Sequence, residues 1–148
     1  MLRGYDLMYL EDVADNIGSM YDYAVYDHNL NIVEFHNLFI KSGVARLIEL
    51  GDIRFITGLS GCELCIEVLN RYYKNSLDHP DPKHIDFEAS PEYWTGWILA
   101  QYQYFSGRTF SDINRTSSID RILSMYNPYH EADKLKTFEL LDDIAFTS

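Results

Sequence analysis

Between Arg3 and Lys41 the chain has no lysine or arginine, although this stretch carries Asp6, Glu11, Asp12, Asp15, Asp22, Asp27 and Glu34. Duplex nucleic acid and anionic membranes would be repelled by this half of the molecule, because binding to either begins with attraction to phosphate. The whole 148-residue chain has a formal net charge of -11. A solvated acidic face that keeps the chain soluble is the simpler account of this bias. Attraction of a basic protein partner is the functional account.

Cysteine is nearly absent as well. Cys62 and Cys65 are the two present, too few for a disulfide-stapled secreted fold. The opening Met1-Leu2-Arg3-Gly4-Tyr5-Asp6 lacks the charged and apolar regions of a secretory signal. No apolar run approaches the roughly 18 residues that span a bilayer. A cytoplasmic chain without a membrane span is therefore expected. Motifs of enzyme chemistry are missing too, and there is no glycine-rich phosphate loop. Gly58-x-Ser60-Gly61 falls short of a nucleophile elbow, which requires G-x-S-x-G between a strand and a helix. His130-Glu131-x-x-Lys134 breaks the H-E-x-x-H metalloprotease pattern at its last ligand. No catalytic residue is assigned and no cofactor is expected.

What the sequence does contain is ordinary globular material, 47% hydrophobic and 24% charged, with an excess of aromatics at 15%, including 12 tyrosines. Tyrosine pairs an apolar ring with a polar tip and suits half-buried positions and interfaces alike. The dominant period is helical. Leu10, Val13, Ala14, Ile17, Met20, Tyr21, Ala24 and Val25 predict one amphipathic helix over about 7–27, with Asp12, Asp15, Ser19 and Asp22 on its opposite stripe. Asn31 caps a second helix, Ser42-Gly43 interrupts it, and residues 52–59 read as a turn. Ser60-Gly61-Cys62-Glu63 has the form of a capping box. Pro80 and Pro82 make 75–90 a loop. Ser90-Pro91 starts a helix running to about 106, with Gly107 as its stop. That helix is aromatic on more than one side, which places it in the core or against a partner. Short helices from Thr109 and Ser118 follow, then a last one over 131–144 separated by Asn127-Pro128. No strand-like alternation of useful length occurs. A single all-α domain of six or seven helices is expected.

Three constellations invite chemistry. Cys62-x2-Cys65 followed by His79 and His84 has the spacing of a Cys2His2 zinc site. The settings are reversed from a zinc finger, since the cysteines open a helix and the histidines flank prolines, so core cysteines and loop histidines are the plainer reading. The same cysteine pair resembles a redox motif, but no βαβ pattern precedes it. Loop acids Asp81, Asp86 and Glu88 lack the spacing of a calcium loop. Gln101 to Tyr126, with Arg108, Arg115 and Arg121, reads as a helix-turn-helix, offset by Asp112, Asp120 and the acidity of the whole chain.

The strings Ser90-Pro91-Glu92-Tyr93-Trp94, Gly96-Trp97-Ile98-Leu99-Ala100, Ser106-Gly107-Arg108 and Asn127-Pro128-Tyr129-His130-Glu131-Ala132-Asp133 carry a resemblance. With Asp22-Tyr23-Ala24-Val25 and Ser60-Gly61-x-Glu63-Leu64, the chain resembles a group of uncharacterised small acidic proteins from anaerobic gut bacteria, over most of its length. Such proteins are encoded beside other short proteins, one similar to ADP-ribosyltransferase-type toxins. The resemblance implies an antitoxin-like cassette partner and supplies no catalytic residues.

The reading that results is a non-enzymatic protein-binding module. Asp12, Asp15 and Asp22 form the rim that selects a basic protein partner, and Tyr93, Trp97 and Tyr104 are the anchor candidates, at least one of them expected to be core. A nucleic-acid-binding regulator and a zinc- or redox-dependent protein built on Cys62 and Cys65 are the alternatives. Self-association would also cover an aromatic face.

Overall fold

Six apolar residues of the first predicted helix, Leu10, Val13, Ala14, Ile17, Met20 and Tyr21, are buried along one side of α1 (Leu10–Asp22). A short 3-10 turn (Leu7–Tyr9), in which the Met8 amide donates to the Asp6 carboxylate, leads into α1. A wider π-helical turn (Tyr23–Asp27) carries it onward to His28, so the predicted span is one continuous helical rod. The computed structural model describes residues 3–82 and 89–147, and among these every regular element is helical. The chain is all-α.

α2 (Ile32–Lys41) starts where the Asn31 side chain accepts from the amides of Val33 and Glu34. Gly43, left-handed at φ 87°, breaks it from α3 (Val44–Glu49). Residues 54–58, expected as a turn, instead form a single π-helical turn (Arg54–Gly58) that buries Phe55 and Ile56. Packing of these two side chains, rather than local propensity, decides that conformation. In α4 (Gly61–Tyr73) the capping box is complete in both directions between Ser60 and Glu63. α5 (Pro91–Ser106) has Ser90 as its cap and ends at left-handed Gly107. α6 (Phe110–Thr116) is capped by Thr109, and α7 (Ile119–Ser124) follows Ser118.

Asn127-Pro128 does not separate helices as expected. It lies inside the single turn α8 (Tyr126–Tyr129), where the missing proline N–H falls among first-turn amides that have no helical acceptor anyway. α9 (Lys134–Thr147) starts later than the expected 131.

α5 is the centre of the molecule. Ten of its sixteen residues are buried, including Trp94, Ile98, Leu99 and Tyr102. Its main neighbour is α1, which also packs on α4. Close approach of α1 and α5 depends on glycine. A Cβ on Gly96 would lie 2.7 Å from the Ile17 carbonyl oxygen and 3.0 Å from Gly18 Cα. Gly61 does the same for α4, whose first turn lies against Asn16 and Met20. The aromatic core continues from this crossing through Tyr21, Phe35, Phe39 and Phe110 in edge-to-face pairs. Within it His36 is 2% exposed, with Nδ1 in a short hydrogen bond to the Tyr21 hydroxyl.

Candidate functional site: an acidic face and notch on α1 and α5

Because α1 buries one stripe, its other stripe must face outward, and Glu11, Asp12 and Asp15 are exposed there. The side chains of α5 that reach this stripe are hydroxyl donors rather than cations. Tyr93 donates its hydroxyl to Asp15 Oδ1 at 2.8 Å, and Ser90 donates to Asp22 Oδ2 at 2.6 Å. On the continuation of the rod, Tyr26 donates to Glu92 Oε1 at 2.7 Å. The bond to Tyr93 holds the Asp15 carboxylate in place without neutralising it. Burial, followed by the bond to Asp15, pushes the Tyr93 phenol above its ordinary range, so it remains a donor.

The ion pairs among the described residues lie elsewhere: Arg46–Glu49, Arg54–Glu67, Arg71–Glu67, Arg115–Asp112 and His130–Glu131. None involves Glu11, Asp12 or Asp15. The sequence bias therefore survives folding as a surface field.

Beside this face a notch of about 440 Å³ opens between the end of α1 and the starts of α4 and α5. Ser19, Asp22, Asp27, Cys62, Ser90 and Tyr93 line it. Tyr23 forms the floor, its hydroxyl donated to the Pro80 carbonyl oxygen at 2.6 Å.

The anchor candidates do not form one patch. Tyr93 lines the notch, whereas Trp97, one turn later, lines a different cleft with Trp94. Tyr104 is a correction: it is 6% exposed, covered by the Tyr5 ring and by the Arg3 guanidinium above its face. It packs the core because Arg3 and Tyr5 lie over it, which α5 alone gives no means of foreseeing.

Among the described residues, Cys62, Cys65 and His79 do not assemble into a metal centre. Among the described residues no group of three or more His, Cys, Asp or Glu is placed to hold a metal. Cys65 is fully buried, and Cys62 lines the acidic notch. Burial, with Asp27 next in size, raises the Cys62 thiol, and burial followed by Cys62 raises Cys65, so both favour the protonated form rather than the thiolate that metal or redox chemistry needs. His79 is engaged by His28 at 3.1 Å and by Asn70 Oδ1 at 3.0 Å. His84, Asp86 and Glu88 lie outside the described residues.

The arginines of the expected helix-turn-helix are largely consumed within it. The Arg108 guanidinium bonds the Tyr102 hydroxyl, the Asp112 carbonyl and the Thr116 hydroxyl, tying α5 to α6. Arg115 pairs with Asp112, and Arg121 is exposed.

Sequence reasoning missed Ser90 as a partner of Asp22, because 68 residues separate them and no spacing rule links them. The Ser90-Pro91 cap signal places the serine at a helix start but not against α1. No family model, curated protein or solved structure matches this chain.

Proposed function

We propose that this chain is a protein-binding module whose α1–α5 face engages a basic surface on its partner and covers it. The observation that carries this reading is the exposed row Glu11, Asp12 and Asp15, which pairs with no cation among the described residues and whose Asp15 is held by the Tyr93 hydroxyl. Long-range attraction from such a row accelerates encounter with a basic surface. Tyr93 supplies the apolar contact beside the row. With the resemblance noted in the sequence, the partner is a protein encoded alongside, and the chain acts in antitoxin fashion by occluding that partner's working surface.

Tagged chain retained on a column in low salt should hold back one stoichiometric basic protein from native lysate. The variant carrying Asp12→Lys and Asp15→Lys should associate with that protein at least about tenfold more slowly in low salt, and the salt dependence should flatten. Identical association rates for the variant and the wild type would remove the acidic face from the mechanism.

A further inference from the structure

A second cleft lies between α5 and the α8–α9 segment, and its chemistry differs from that of the acidic notch. It has a volume of about 320 Å³ and is walled by Trp94, Trp97, Tyr129 and His130, with Asp133, Lys134 and Thr137 also lining it. The walls are flat and conjugated. Trp94 packs edge-on to Tyr126, which stacks on His130 with ring centroids 3.9 Å apart and 13° between planes, so the imidazole is held rigid.

Lys134 stands out in a chain of this charge. It is half-buried, and no carboxylate among the described residues pairs with it. Its ammonium instead donates to Gln101 Oε1 at 3.0 Å and lies over the Phe105 ring. Gln101 is fully buried, and its amide nitrogen has no protein partner. Lys134 also begins α9, a helix of 14 residues whose first-turn amides favour an anion. The Asp133 carboxylate at the rim is engaged in capping that turn through the Leu135 amide at 2.9 Å.

Thr137 supplies the independent observation. Helical threonines elsewhere in the chain return their hydroxyls to their own backbone: Thr95 to Pro91, Thr57 to Ile53, Thr147 to Asp143 and Thr116 to Ile113. Thr137 is fully buried, lines the cleft, and its hydroxyl makes no such bond and meets no other protein group. An unpaired buried hydroxyl is costly and is kept where something else satisfies it.

We propose that this cleft binds a small planar aromatic carboxylate. The ring lies among Trp94, Trp97, Tyr129 and His130, and the carboxylate accepts from the Lys134 ammonium and the Thr137 hydroxyl. The size fits one or two fused rings. The site is independent of the partner-binding face and of the reading built on it.

Both tryptophans of the chain line this cleft, so selectively excited tryptophan fluorescence reports from it. The full chain is titrated with para-fluorobenzoate and a fluoroindole carboxylate, followed by tryptophan fluorescence and fluorine NMR. Saturable binding with a dissociation constant at or below about 1 mM is expected for at least one of them. para-Fluorobenzyl alcohol, which keeps the ring, and trifluoroacetate, which keeps the charge, should each bind at least about tenfold more weakly. Lys134→Met should weaken binding about tenfold. Thr137→Val should weaken it several-fold while raising the melting temperature of the free chain, since it deletes an unpaired hydroxyl. A purely structural threonine would not move these two readouts in opposite directions. The proposal is overturned if neither carboxylate saturates at millimolar concentration, if the alcohol binds as tightly, or if both variants retain wild-type affinity.

Discussion

Acidification from pH 7.5 to 5.5 should destabilise this protein through its core histidine, His36. Its imidazole lies in the aromatic core beside Tyr21, Phe35 and Phe39, and burial lowers its pKa from 6.5 to about 4. The folded state therefore holds His36 neutral over a range in which the unfolded chain protonates it. Because the folded pKa is the lower of the two, the stabilisation is fully present above pH 6.5 and is lost as pH falls toward 4. With those two values, the linkage relation gives a loss of about 1.4 kcal/mol at pH 5.5 and about 3 kcal/mol at pH 4. For a chain of this length the first figure corresponds to a fall of about 3–6 °C in melting temperature. Protonation of surface carboxylates acts in the opposite sense, by relieving the repulsion of a net charge of -11. The comparison that isolates the histidine is wild type against His36→Phe, each unfolded in urea at both pH values, above the sequence pI of about 4.7. The wild type should lose about 1.4 kcal/mol more than the variant between the two conditions. Equal losses, or a His36 ring titrating near its ordinary pKa by NMR in the folded protein, would refute the assignment of a dry, neutral imidazole.

Two further expectations come from the packing. Gly96→Ala places a methyl 2.6 Å from the Tyr21 ring and 2.7 Å from the Ile17 carbonyl oxygen. The overpacking cost of about 1–3 kcal/mol should outweigh the roughly 1 kcal/mol gained in helix propensity, because a backbone oxygen cannot step aside, whereas Gly58→Ala, with no neighbour nearer than 3.7 Å, should be tolerated. A Gly96→Ala chain as stable as the wild type in thermal unfolding would show that α1 and α5 separate more easily than their geometry suggests. The thiols of Cys62 and Cys65, both raised by burial, should react with Ellman's reagent at neutral pH far more slowly in the folded chain than in urea, and rapid labelling of folded Cys62 would contradict a protonated thiol in an acidic notch.

Local chemistry is written in the sequence wherever the interaction partners are near neighbours along the chain. The Asn31 and Thr109 caps, the Ser60–Glu63 box, the Ser90-Pro91 start and the Gly107 stop each involve residues within a few positions, and all five are found where the pattern put them. The apolar stripe of α1 was legible for the same reason, since a period of 3.6 fixes which side is buried once a helix forms. The all-α class followed from these signals together.

Tertiary structure decided everything that depends on residues meeting across the fold. Which group would meet the Asp15 carboxylate could not be read from spacing, because its neighbour Tyr93 comes from 78 residues away and brings a hydroxyl. The aromatic residues of α5 looked alike in sequence, yet Tyr104 is covered by the N-terminal segment, Tyr93 faces the acidic notch, and Trp97 lines a cleft closed by α8 and α9. The CxxC spacing matched a zinc template, but helix packing buried Cys65 and turned His79 toward His28 and Asn70. Composition and periodicity thus settle which faces of each helix are apolar or charged. Only packing settles which charges stay uncompensated and which polar groups remain unmet, because those are properties of pairs that the chain brings together only when it folds.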